Sequence, residues 1–239
     1  MNRNIFRLAV FFAILTWSSA MYALIPEVSG TVGVNNGQTD TLKENQILYI
    51  GKMWRNQYAM VKGDQFLFST EYLEGSVTIN GNSYDNLRIN YDIYNDEILT
   101  PKNRGSIIQL NKEMVDSFAM VFAGKKYKFV NAQDDSLPVI KGFVRVVYKG
   151  KSALYVKYKK EIAALAVDDK YDLFFRTYRI YCLKEGQAYP ISSKRDLLKI
   201  LQDDKIRMKE FMKKNKLKVS KMEPESFIPV IRYYDSLSR

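Results

Sequence analysis

Carboxylates fall into two short clusters, and acid–base chemistry in this chain would have to use them. Asp92, Asp96 and Glu97 form the first; Asp168, Asp169 and Asp172 form the second. Paired carboxylates run glycoside hydrolysis, or they hold calcium. Neither cluster has the spacing of a calcium loop. Each also has a structural reading. The first belongs to a hairpin turn, where Asn and Asp are favoured because their side chains bond nearby backbone. The second reads as a loop between strands. Strand alternation sends Asp92 to a polar face, where a carboxylate needs no special role.

Other chemistry is more restricted. The chain has no histidine. That excludes Ser-His-Asp and Cys-His nucleophile activation, His-based metal centres and imidazole acid–base work. One cysteine, Cys182, excludes thiolate metal clusters and any intramolecular disulfide. It lies in an apolar-aromatic stretch and reads as a buried small hydrophobe. There is no nucleophile elbow and no dinucleotide fingerprint. Gly124-Lys125-Lys126 lacks the upstream glycine and the hydroxyl residue of a phosphate-binding loop. A Ser–Lys arrangement is the remaining alternative to the carboxylates. No cofactor is implied. Of the seventeen tyrosines, Tyr84, Tyr91, Tyr155 or Tyr181 could line a ligand groove. The competing reading is cross-strand and core packing. Alternation puts Tyr148 on the face of Val144 and Val146, and Tyr158 with Leu154 and Val156, both as core.

The elements that would hold these residues are mostly strands. Val77 and Ile79 run into Asn80-Gly81, the dipeptide that best tolerates the positive φ of a type I′ hairpin turn. The return strand alternates, with Leu87, Ile89, Tyr91 and Ile93 on one side, which marks one buried face. Asn95-Asp96, Gly124, Lys149-Gly150-Lys151 and Lys184-Glu185-Gly186 mark further turns. No strand–helix–strand alternation is present, so a parallel nucleotide-binding sheet is not expected. The pattern predicts an α+β protein: an antiparallel β meander of about ten strands, as one curved sheet or two small sheets, then C-terminal helices. Residues 47–131 and 142–192 form two β-rich halves, separated by a polar break at 132–141.

The charge is uneven. The whole chain carries +11. Residues 193–221 contribute +7, residues 222–239 contribute −1, and the body from 21 to 192 is about +3. The basic stretch reads as helical. Ser193 with Asp196 forms a capping box ahead of Leu197, Leu198, Ile200 and Leu201. Asp203 or Asp204 would cap a second helix with Met208, Phe211 and Met212 as its apolar stripe. Ser226 would cap a last helix, with Pro229 in its first turn and Ile231, Tyr234 and Leu237 inward. Lys205, Arg207, Lys209, Lys213, Lys214 and Lys216 decorate the second helix. They are the expected contact for an anionic partner: lipid, polysaccharide or acidic protein. The competing reading is a solvated face with ordinary end-of-helix charge. Aromatics are not interleaved with the lysines, so nucleic acid fits least well.

The N-terminus reads as an export signal. Arg3 and Arg7 precede an apolar run over residues 8–17, followed by Ser18-Ser19-Ala20. The run is about half the length of a membrane span. This is the pattern of a secretory signal peptide cut after Ala20, or alternatively after Ala23. No cysteine lies nearby to carry a lipid anchor. Residues 21–46 read as a flexible lead-in. A mature chain of about 215 residues without a disulfide must then fold on its core alone.

One further reading comes from resemblance. The stretch Val61-Lys62-Gly63-Asp64-Gln65-Phe66-Leu67-Phe68, then Gly75-Ser76-Val77, Gly81, Tyr84 and residues 87–96, is one part of it. Ile191-Ser192-Ser193-Lys194-Arg195-Asp196-Leu197-Leu198 ahead of the lysine-rich helix is the other. Together they resemble a group of exported proteins of Bacteroidota-type bacteria. The resemblance covers most of the mature chain and implies an envelope setting. It carries no activity and no binding residues. The combined expectation is an exported, periplasmic or extracellular protein that binds or scaffolds an envelope component without catalysis. The alternatives are a carboxylate-dependent glycan hydrolase and a lipid or amphiphile carrier.

Overall fold

The computed structural model describes residues 48–102, 105–132 and 140–237. The expected signal segment, the expected lead-in and most of the polar break lie outside the described residues. Among the described residues eleven strands follow one another: β1 (Gly51–Met53), β2 (Leu73–Ile79), β3 (Asn82–Asp92), β4 (Glu97–Pro101), β5 (Ile107–Leu110), β6 (Val115–Phe122), β7 (Lys125–Asn131), β8 (Phe143–Lys149), β9 (Ala153–Val167), β10 (Tyr171–Lys184) and β11 (Gln187–Ile191). Three helices close the chain: α1 (Lys194–Ile200), α2 (Lys205–Lys214) and α3 (Ile228–Leu237). The fold is α+β, and the strands make one open antiparallel sheet rather than two. Its order is β1-β5-β4-β3-β2-β6-β7-β8-β9-β10-β11.

The meander follows from its turns. Asn80 (φ 48°) and Gly81 (φ 81°) close β2 onto β3, with Ile79 opposite Asn82. Ala123-Gly124 and Glu185-Gly186 repeat the same positive-φ pair between β6 and β7 and between β10 and β11. This pair matches the right-handed twist of the flanking strands, so it sets the register. The sheet also curls. The Lys160 N–H of β9 bonds the Ile93 C=O just past β3, at 3.2 Å. Tyr91, Phe118, Phe129 and Phe143 fill the curl with interlocked rings; Phe118 and Phe129 stack at 4.6 Å.

The last four strands carry apolar side chains on both faces. Leu154, Val156, Ile180, Cys182 and Ile191 pack against Leu197, Leu201, Met208, Met212, Val230 and Ile231 from the helices. Val144, Ala153, Tyr155 and Tyr181 gather on the opposite face. Phe211 of α2 stacks on Tyr233 of α3 at 3.9 Å. The helices therefore lie across the end of the sheet and cannot shift without exposing this second core.

Two strand readings are corrected. A register shift between Val146 and Tyr148 turns Tyr148 away from Val144 and Val146, into the helix-side core. A bulge adds one residue to one strand and so reverses the alternation beyond it. Tyr158 does pack with Leu154 and Val156. Asp92 is fully buried rather than on a polar face. Residues 65–67 fold over the end of β3, with Leu67 and Ile93 donating backbone bonds to Tyr91 and Gln65.

Candidate functional site

The first carboxylate cluster is distributed over separate structural tasks. Asp92 accepts from the backbone N–H groups of Tyr94 and Asn95 and from the Asn95 side chain, each at 2.9 Å. It closes the β3–β4 turn. Burial raises its pKa, although these bonds oppose the rise. Asp96 accepts from the Tyr91 hydroxyl at 2.5 Å, from Lys157 Nζ at 2.8 Å and from Lys112 Nζ. Burial alone would raise its pKa; Lys157 and Lys112 overcome that and hold it below the ordinary carboxylate range. Burial lowers the Lys157 amine and pushes the Tyr91 phenol well up. One half-buried carboxylate thus serves two half-buried ammonium groups and the buried Tyr91 phenol. Burial also raises Glu97, and Asp92 adds to it.

The second cluster is a turn. Asp168 (φ 54°) and Asp169 (φ 52°) sit at the β9–β10 tip, and Asp172 accepts from the Leu165 N–H at 3.0 Å. Among the described residues, no group of three His, Cys, Asp or Glu is placed to hold a metal ion. The four tyrosines share no groove: Tyr84 and Tyr91 are in the core inside the curl, and Tyr155 and Tyr181 are in the cluster beyond it. Cys182 is fully buried, and burial pushes its thiol up to about 12.

The basic segment is where charge is left unspent. Ser193 caps α1 through its hydroxyl, which accepts from the Asp196 N–H at 3.2 Å. The Asp196 carboxylate accepts from the Ser192 N–H and hydroxyl, at 2.9 and 2.8 Å. The expected side-chain cap of α2 is absent: neither Asp203 nor Asp204 accepts a bond from a backbone N–H of its first turn. Asp203 pairs with Lys184 and accepts from the Tyr234 hydroxyl, while Asp204 pairs with Arg207 at 3.3 Å. Ser226 does not cap α3 either. It sits in a 3-10 turn, Pro224–Phe227, and its hydroxyl donates to the Glu223 C=O at 2.6 Å.

With those acids engaged, α1 and α2 face each other across an open concavity of about 580 Å³. Lys194, Arg195, Leu198, Lys199, Lys205 and Lys209 line it. Its five cations are exposed, and among the described residues none is in an ion pair. Met208 and Met212 anchor α2 in the core. At 100° per residue, this turns Lys205, Lys209 and Lys213 toward the α1 flank, and Arg207 and Lys214 toward the flank of Phe211. Lys213, Lys214 and Lys216 are exposed but do not line the concavity. Two of the six expected contact residues, Lys205 and Lys209, are therefore joined there by Lys194, Arg195 and Lys199. Helical spacing within α2 alone does not reveal those three. The signal was in the sequence as net charge over the whole 193–221 stretch.

Fold and site together describe a β-meander protein with a cationic helical cap. The chain matches no family model, no curated protein and no solved structure. Among the described residues, no helix is long and apolar enough to cross a membrane.

Proposed function

We propose that this is an exported envelope protein that holds an anionic envelope component in the groove between α1 and α2, without catalysis. One observation supports the binding reading: five cations line one concavity, and among the described residues none of them is in an ion pair. Like charges brought together raise the local potential and repel one another, a cost that an anionic ligand removes. Export rests on the N-terminal pattern and on the resemblance to exported Bacteroidota-type proteins. The hydrolase alternative loses support because Asp92 is committed to a turn and Asp96 to two lysines. The carrier alternative loses support because aromatic rings fill the curl of the sheet.

The test is co-sedimentation of the mature protein with its native envelope fraction, alongside the double variant Lys205→Glu/Lys209→Glu. The parent pellets at low salt and is released as salt rises, since exposed charges are screened within about 10 Å at 0.1 M. The variant stays in the supernatant. A variant that pellets like the parent, or a parent that never pellets, overturns the proposal.

A further inference from the structure

The cationic groove between α1 and α2 is bounded by charge of the opposite sign. Its own lining holds five cations, no carboxylate, and Leu198 as an apolar floor. Beyond Lys199 the surface turns acidic. The neighbouring cleft has Glu185, Asp196 and Asp203 in its wall, against Lys184 and Lys199. Lys184 is shared between Asp203 and Glu185, and Asp196 is bonded to uncharged Ser192. The bonds from Ser192 hold Asp196 below the ordinary carboxylate range, so it stays ionised. On α2, Asp204 pairs with Arg207. Glu210 follows Lys209 and, at about 100° per residue, turns away from α1. A polyanion running out of the groove past Lys199 meets like charge. The occupant that suits the groove is therefore compact.

Its charge must also be dense. The groove, at about 580 Å³, has the size of a small-ligand site. A carboxylate brings one negative charge into that space. A phosphate monoester brings about −1.5 to −2 at neutral pH, with three strong acceptor oxygens. Two monoesters supply about −3 to −4, close to the five positive charges of the lining. The cations stand on both walls: Lys194, Arg195 and Lys199 on α1, Lys205 and Lys209 on α2. Arg195 adds a planar fork that matches two oxygens of one phosphate, whereas the lysines act as point charges.

We infer that the groove takes a compact ligand with two phosphate monoesters, of the class of a sugar bisphosphate, bridged between α1 and α2. This deepens the envelope-binding reading and rests on it. One phosphate meets the α1 cations, the other meets Lys205 and Lys209, and Leu198 takes the apolar edge of the ring between them. Acidic polysaccharides fit less well. They spread their charge over a longer chain, which leaves the groove toward Glu185 and Asp196.

The test is calorimetric titration of the mature protein at low salt with glucose bisphosphate, glucose monophosphate and trigalacturonate. The bisphosphate binds roughly tenfold or more tighter than either comparator. Its advantage over trigalacturonate shrinks as pH falls through about 6, where each phosphate loses its second charge. The chain has no histidine to titrate there, so the change belongs to the ligand. Lys199→Gln/Lys209→Gln, one lysine from each wall, weakens bisphosphate binding roughly tenfold or more. Lys213→Gln/Lys214→Gln removes the same charge outside the groove and leaves binding unchanged. All four lysines are exposed, so circular dichroism of each variant matches the parent. Vesicles of phosphatidic acid and of phosphatidylglycerol separate the sources of the phosphate. Preference for phosphatidic acid, competed by glucose bisphosphate, places the monoesters on a lipid; binding of the soluble bisphosphate alone places them on a free sugar, and either supports the inference. Equal affinity for all three soluble probes, or equal weakening by the two variants, overturns it. Binding of the native envelope fraction without binding of any phosphate probe overturns it and leaves the envelope-binding reading intact. If neither the probes nor the envelope fraction binds, both fall.

Discussion

The Arg145 guanidinium on β8 donates to the Glu225 carboxylate at 2.5 Å, joining residues 80 apart in sequence. Arg145 is only 6% exposed, and its second arm donates to the Tyr158 hydroxyl at 3.2 Å. Lys125 of β7 pairs with the same carboxylate. The turn ahead of α3 is thereby pinned to the sheet. Glu225→Gln leaves a buried cation without its counter-charge and costs about 3 kcal/mol. Chemical denaturation of the two proteins measures it.

The same pair sets an acid dependence. Burial would raise Glu225, but the bonds from Lys125 and Arg145 outweigh it and hold the carboxyl at about 2, against an ordinary 4.5. A depressed folded pKa stabilises fully above the unfolded value and is lost as pH falls through the folded one. The parent therefore loses stability between pH 4.5 and about 2 more steeply than Glu225→Gln does. Urea midpoints followed down that range test this; parallel curves would contradict it.

Gly142 protects the Asp96 hub. Its φ is +74°, and a Cβ there would overlap the Asp96 carboxylate and crowd Lys112 Nζ. Gly142→Ala therefore combines left-handed strain with a displaced ion pair, and costs at least about 2 kcal/mol. Gly186, at φ +76°, has nothing within 4 Å of its added Cβ. Gly186→Ala carries only the conformational cost, about 1 kcal/mol. Equal losses in thermal unfolding would show that the hub contributes nothing.

Lys216 ends α2 in the left-handed conformation, at φ +51°. Its N–H bonds the Lys213 C=O at 3.2 Å, and the Leu217 N–H bonds the Met212 C=O at 2.9 Å. This is the bonding of a Schellman cap, whose left-handed position suits glycine best. Lys216→Gly raises stability by about 0.5–1 kcal/mol. Because Lys216 does not line the groove, envelope binding persists in that variant. A large loss of binding would move the contact surface to the end of α2.

What the sequence revealed was mostly local. Asn80-Gly81 declared its hairpin because two adjacent residues set the turn. Ser193 declared its cap, and Ile89, Tyr91 and Ile93 their buried face, for the same reason. Tyr148 departs from the alternation because a one-residue bulge leaves no compositional mark. The burial of Asp92 depends on residues 65–67, a separate segment that folds back, so strand alternation does not reveal it. The groove was half legible. Lys205 and Lys209 stood out on one helix, but Lys194, Arg195 and Lys199 join them only through packing of α1 against α2. Asp203 and Asp204 looked like caps until the sheet supplied Lys184 and the helix itself supplied Arg207.

The α1–α2 groove is the proposed contact surface. Lysine acetylation of the mature protein, quantified by mass spectrometry with and without its native envelope fraction, tests it most directly. Lys194, Lys199, Lys205 and Lys209 should lose reactivity together on binding, while exposed Lys126 and Lys149 on the sheet keep theirs. Unchanged reactivity at those four, or equal protection at Lys126 and Lys149, would place the contact elsewhere on the protein.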